Sequence, residues 1–244
     1  MRVDGGVSSS QLLVCSFAVG GLAAIAFLAF PQIDLIASSV FHSPGGAFLG
    51  QSASWMQALR SAFVGVFFLS IAIALAGLII TRGRSGVWLR LNGAQWLFLA
   101  VCLAVGPGII ANIMLKDHWG RARPKQVVEF GGTKAFTPPL VPSNQCSRNC
   151  SFVSGEAASI FMPLYAAGLL LPQWSGALFV CGTLLGLAAG LVRVSQGAHF
   201  LSDVIFAGIF MALTATAVHR VMFRPGSLGT IPRYAAVARR QAES

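Results

Sequence analysis

Apolar residues run in six stretches along this chain, and charged residues gather at the ends of those stretches. The runs cover residues 11–30, 61–81, 94–115, 154–171, 177–192 and 200–223. About twenty apolar residues wound as a helix cross the hydrocarbon core of a bilayer. The pattern therefore predicts an all-α integral membrane protein: six transmembrane helices in a single membrane domain over residues 1–244. Gly106-Pro107-Gly108 interrupts the third run, which predicts a kink there. The turn signal at Pro172 and the polar cluster from Arg193 to His199 divide the last apolar region into three spans rather than fewer, longer ones. The first run is long for a signal-peptide core and no clear small-x-small cleavage site follows it, so it reads as a retained span.

Two connections are long. Residues 31–60 carry a Pro44-Gly45-Gly46 turn and Trp55, which suits an interfacial helix. Residues 116–153 are rich in Gly, Pro, Ser and Asn. That segment is too long for a passive link and is expected to cover a site. The basic tail, residues 224–244, is expected to be disordered or to lie on the membrane.

Composition sharpens this picture. Only 10% of residues are charged and 55% are hydrophobic, with mean hydropathy +0.74; a soluble domain is about a quarter charged. Lys and Arg total 17 against 7 acids, a formal charge of +10. In a soluble protein this excess would suggest nucleic acid. Here the cations form no solvated stripe, so no nucleic-acid partner is expected, and the basic loops set topology or meet anionic headgroups. Six spans put both chain ends on one face. The short loop with Arg82, Arg84 and Arg90 holds no acid, which favours cytoplasmic ends. The opposite face collects Arg60, Lys116, Arg121, Arg123, Lys125, Lys134, Arg148 and Arg193, so the raw count barely discriminates. Cys15, Cys102 and Cys181 lie in apolar runs, where a thiol behaves as a small hydrophobe. Cys146 and Cys150 share a polar loop four positions apart. The spacing permits a disulfide in an oxidising compartment, and also admits two separate thiols.

Three short motifs remain, all on the face opposite the chain ends. Lys116 is followed after six residues by Arg123-Pro124; Val153-Ser154-Gly155-Glu156 opens the fourth run; Val192-Arg193 is followed after five residues by His199. Charged groups at membrane depth are functional candidates by default. Arg offers a fork to phosphate oxygens and Lys a point charge. Ser154 can cap the fourth helix, whose first free amides form an anion site. Converging cations beside an imidazole suit a lipid phosphate.

In order and spacing the three motifs resemble those of the type 2 phosphatidic acid phosphatase (PAP2) superfamily of membrane lipid phosphatases. The Phe30–Leu35 segment also looks like the family's opening after its first span. The resemblance implies that Lys116, Arg123, Ser154, Gly155 and Arg193 bind the substrate phosphate. It makes His199 the nucleophile, attacking in line to give a phosphohistidine that water resolves. Asp203, one helical turn on, would accept the far ring N–H and fix the tautomer. Three positions depart from the family pattern: Val153 replaces Pro, Val192 replaces Ser, and Glu156 replaces the His that protonates the leaving alkoxide. Glu156 is expected to take over as general acid, or else to pair with His118 or a polar substrate group. Arg121 lies in the first motif but outside its fixed positions, and snorkelling or a headgroup contact is as open for it as a part in catalysis. His42 and His219 have no nameable partner. Asp117 and Glu129 are too few to build a two-metal site, so no cofactor and no divalent metal are expected. Within the family, lipid A, undecaprenyl diphosphate and phosphatidylglycerophosphate phosphatases are the candidate branches. The Phe152–Glu156 variant with the cysteine pair inclines towards the lipid A 4′-phosphatases. The expected setting is the inner membrane, with the site facing the periplasm or exterior. A non-catalytic lipid-binding protein is the alternative class; a transporter fits less well, because no inverted repeat is visible.

Overall fold

The computed structural model describes residues 6–82 and 86–223, so the basic tail and Arg84 lie outside the described residues. Helix α1 spans Ser9–Ala29, and a short α2, Gln32–Ser39, follows at once. After α3 (Leu49–Ser52) comes α4, Ser54–Ile80. A two-residue hairpin, β1 (Val87–Trp88) with β2 (Leu91–Asn92), leads into α5, Gly93–Leu103. α5 continues as a π-helix over Ala104–Leu115 and ends in the single turn α6, Lys116–His118. The last three helices are α7 (Gly155–Leu170), α8 (Ser175–Ser195) and α9 (Leu201–Met222). Among the described residues, five helical segments are long and apolar enough to cross a membrane; α7 is a shorter apolar helix. Together they make the six-helix, all-α membrane architecture.

Local chemistry sets several helix starts. Ser8 and Gln11 cap α1 reciprocally, and Asn92 and Gln95 do the same for α5, each pair satisfying two amides that the helix leaves free. α4 begins seven residues before its predicted apolar run, because Ser54–Arg60, of mixed polarity, is also helical. Trp55 therefore sits in the first turn of α4 rather than on a separate interfacial helix, and is exposed. At Gly106-Pro107-Gly108 the third span does not simply bend. Pro107 has no N–H to donate and the chain widens into the π-helix. Asn112 Nδ2 then donates to the Pro107 carbonyl at 2.7 Å, inside the widened turn.

α7 is the centre of the bundle, packing against α8 and α9 and also touching α4, α5 and the π-helix. Its buried face carries Ala157, Ala158, Phe161, Met162 and Tyr165. By contrast α1 and α4 leave large apolar side chains exposed, among them Phe17, Leu22, Ile25, Phe68 and Ile79, as expected of surfaces that meet lipid rather than water. The long 119–154 segment folds over one end of this bundle, and a second small core of Phe48, Ala122, Val127, Phe130 and Phe200 ties it to the α8–α9 turn.

Candidate active site

His199 occupies the turn between α8 and α9. Gly197 allows that turn, with φ of 61°, in the left-handed region that glycine alone enters freely. The His199 ring is 1% exposed. Its Nδ1 lies 2.7 Å from the Ser151 backbone carbonyl. A carbonyl only accepts, so Nδ1 carries the proton and the lone pair belongs to Nε2. Burial, chiefly, together with the cations Lys116 and Arg123, pushes the imidazole down to about 4, against the opposing pull of Asp203. The ring is therefore neutral at ordinary pH.

Asp203 does not make the bond expected of it. Its Oδ2 is 3.7 Å from His199 Nδ1, an ion-pair distance rather than a hydrogen bond. The carboxylate has closer partners. Oδ2 accepts from Ser151 Oγ at 2.5 Å and from the Phe200 amide at 2.8 Å. Oδ1 accepts from Arg121 Nη1 at 2.6 Å. Asp203 thus caps α9 and holds Ser151, whose own carbonyl holds the imidazole.

Arg121 departs furthest from expectation. It neither snorkels nor meets a headgroup: its side chain is 0% exposed. Nη2 reaches Asp34 at 2.8 Å, Nη1 also donates to Ser202 Oγ at 2.9 Å, and Nε donates to the Thr137 carbonyl at 2.8 Å. The Phe200 ring lies under the guanidinium, 4.3 Å from its centroid. Asp34 accepts in addition from the Ser202 amide at 2.8 Å and hydroxyl at 2.5 Å. Two acids and one Arg are buried here with their hydrogen bonds filled, the condition under which such charges are tolerated.

The remaining motif residues meet around the same ring. Lys116 ends the third span within electrostatic range of Arg123, Glu156 and Arg193. Arg123 Nη2 donates to the Asn149 carbonyl at 2.8 Å and to its side-chain oxygen at 2.9 Å. Ser154 caps α7, its hydroxyl accepting from the Ala157 amide, while its own amide donates to the Asp203 carbonyl at 3.1 Å. Gly155 must be glycine: a Cβ there would lie 2.8 Å from Lys116 Nζ and 2.5 Å from Asn112 Oδ1. Arg193 hydrogen-bonds Gln196 and approaches Glu156 at 3.5 Å.

Glu156 stands at the first turn of α7. Arg60 reaches it from α4, with Nη2 2.9 Å from Oε1 and Nε 3.1 Å from each of the two oxygens. Two guanidinium groups beside a carboxylate favour its ionised form. The geometry fits a clamp on Arg60 and Arg193 better than the expected general acid. His118 is not its partner either: Nδ1 of His118 turns back to the Ile113 and Met114 carbonyls at 3.0 and 3.1 Å. His42 packs on Phe48 and Phe130, and His219 on Phe98 and Phe223. Cys146 and Cys150 are joined by a disulfide. Among the described residues, no three His, Cys, Asp or Glu side chains cluster as metal ligands.

Asp34, Arg60, Arg121 and Ser151 are site residues that motif reading misses. Asp34 alone gave a signal, as an acid directly after the first span in the family-like Phe30–Leu35 segment. With three cations around a neutral imidazole, the arrangement can hold a phosphate and present a nitrogen lone pair to it.

Comparison with known proteins agrees in kind. The chain is similar to the lipid A 4′-phosphatase of Francisella tularensis subsp. novicida (strain U112), 38% identical over 223 residues that cover 87% of this chain and 94% of that one. It is 30% identical over 206 residues to the lipid A 1-phosphatase of Rhizobium etli (strain ATCC 51251 / DSM 11541 / JCM 21823 / NBRC 15573 / CFN 42), covering 78% and 84%. A crystal structure of a transmembrane PAP2-type phosphatidylglycerolphosphate phosphatase from Bacillus subtilis overlaps 88% of this chain and 95% of its own, at 18% identity and a TM-score of 0.47. The profile of the PAP2 superfamily matches residues 95–227, which take in all three motifs, and the chain belongs to that superfamily.

Proposed function

We propose that this protein is a membrane lipid phosphatase acting at the outer face of the inner membrane, with the 4′-phosphate of lipid A as its favoured substrate. The observation that carries the reading is the His199 ring: neutral, fixed through Nδ1 on the Ser151 carbonyl, and set among Lys116, Arg123 and Arg193. The substrate preference is supported by the relative of highest identity described above, named a lipid A 4′-phosphatase and matched over nearly its whole length. The Cys146–Cys150 disulfide supports an oxidising compartment on the site's side of the membrane.

The phosphate docks on the three cations and the first amides of α7, behind Ser154 and Gly155. His199 Nε2 attacks phosphorus in line. The N–P bond forms as the bond from phosphorus to the lipid oxygen breaks, and that oxygen takes up a proton from water. The Ser151 carbonyl, steadied by Asp203, bears the charge that develops on the ring. Water then attacks the phosphohistidine, releasing inorganic phosphate and restoring the imidazole. Lys116, Arg123 and Arg193 supply the charge that the phosphate needs, so turnover in EDTA is the expected result.

The test is phosphate release by purified protein from lipid A, undecaprenyl diphosphate and phosphatidylglycerophosphate, with His199→Ala as control. Lipid A should be cleaved fastest and the variant should be inert. A His199→Ala variant as active as the parent would end the phosphatase mechanism, and equal rates on all three lipids would end the substrate preference.

A further inference from the structure

Beside the phosphate cradle lies a polar cavity of about 330 Å³. Gln51, Gln57, Arg60, Lys125, Arg193 and Gln196 line it; Lys116, Arg123, Ser154 and His199 do not. Its wall comes from α3, the start of α4, the Pro124–Gln126 turn and the α8–α9 turn, so it adjoins the cradle through Arg193 and Arg60 without being the cradle.

Three features mark it as built for an anion. The cavity carries three cations, and among the described residues the one carboxylate that pairs with any of them, Glu156, touches Arg60 and Arg193. Lys125 makes no ion pair among the described residues, and its backbone amide is pinned to the Gly197 carbonyl at 3.1 Å. One buried donor there is also unmatched: Gln196 Nε2, on a residue only 5% exposed. Gln196 is otherwise committed, since its Oε1 accepts from Arg193 and its carbonyl accepts from Gln51 Nε2 at 3.1 Å. Arg193 Nε makes no hydrogen bond and has only the 3.5 Å ion pair with Glu156. A buried donor without an acceptor is destabilising, and an anionic oxygen in the cavity would satisfy it.

We propose that this cavity is a second anion subsite that takes a further phosphate on the same lipid headgroup, while the cradle holds the phosphate to be cleaved. The proposal rests on the phosphatase reading above and extends it: the preferred substrate carries two separate phosphates. A single phosphate would leave the cavity with water alone.

The experiment measures binding and turnover side by side, in detergent micelles, for a lipid A carrying two phosphates and for the same lipid carrying only the scissile one. The variants are Lys125→Ala and Lys125→Met, which remove the charge and leave the cradle's own side chains in place. The parent protein should bind the doubly phosphorylated lipid roughly tenfold or more tightly, the worth of one to two charge-assisted hydrogen bonds. Both variants should erase most of that preference and leave affinity and turnover on the singly phosphorylated lipid near the parent's. Equal binding of the two lipids by the parent overturns the subsite, as does a preference that survives both variants. If neither lipid releases phosphate while the preference and its loss are observed, the subsite stands and the phosphatase reading falls.

Discussion

Arg121 Nη1 donates to Asp203 Oδ1 across 2.6 Å, between two side chains that no solvent reaches. Only one residue separates Arg121 from Arg123, yet one faces the protein interior and the other the site. The pair makes Asp203 a fixed element of the frame. Its charge is answered by Arg121, and its influence on the imidazole passes through Ser151.

Arg121→Met is the direct probe of that frame. Removing one partner leaves Asp34 and Asp203 buried without their counter-charge, which costs about 3–5 kcal/mol. The folded yield and the thermal midpoint in detergent should both drop sharply, and phosphate release should fall with them. A variant that melts with the parent would show that the buried acids do not depend on this guanidinium.

Acidification tests the state of His199. Its imidazole sits at about 4 rather than the ordinary 6.5 because burial disfavours the cation. Nucleophilic attack needs the neutral ring, so activity should persist as pH falls through 6.5 and should be lost as pH falls through about 4. The sign for stability is opposite to that of a stabilised cation. Between 6.5 and about 4 the unfolded chain takes up a proton that the folded one refuses, so this site destabilises the fold progressively as pH drops. The measurement is kcat/KM against pH, corrected for the substrate's own phosphate ionisation near pH 6. An enzyme limb at 6.5 would contradict the buried, neutral ring.

Glu156→Gln separates a clamp from an acid. If the carboxylate holds Arg60 and Arg193, the amide should raise KM by roughly tenfold, because the two guanidinium groups lose their anchor, while kcat changes little. Loss of an acid would instead lower kcat by about a hundredfold or more, with a changed alkaline limb. The split between KM and kcat decides between them.

Gly155→Ala should disable the cradle without touching a charged residue. The added methyl meets Lys116 Nζ and Asn112 Oδ1, so the ammonium must move from the place where the phosphate docks. Phosphate release should fall by at least about tenfold while the protein remains folded by thermal melting. Full activity in this variant would remove Lys116 from the phosphate site.

Much of the site was legible because its chemistry sits at helix ends with fixed spacing. Lys116, Ser154, Arg193 and His199 each terminate or precede an apolar run, and the bundle brings those ends together. What was hidden lies in relationships that spacing does not encode. Arg60 meets Glu156 from 96 positions away, and Arg121 meets Asp34 from 87. Both Arg residues look like ordinary interfacial cations until their partners are seen. The imidazole's acceptor was hidden for a different reason: it is a backbone carbonyl, and a carbonyl leaves no mark in residue type. Among the spans, hydropathy located the bilayer-depth portion of α4 but not its first two turns, which are where Arg60 resides. It also marked the interruption at Gly106–Gly108 without revealing the wider helix that runs through it.

That wider helix sets the angular position of Lys116. An α-helix advances about 100° per residue and a π-helix rather less, so the twelve residues from Ala104 to Leu115 deliver Lys116 at an azimuth that an ordinary helix of equal length would miss. The third span is thus a calibrated spacer as well as a membrane anchor, less tolerant of changes in length than of changes in apolar side chain.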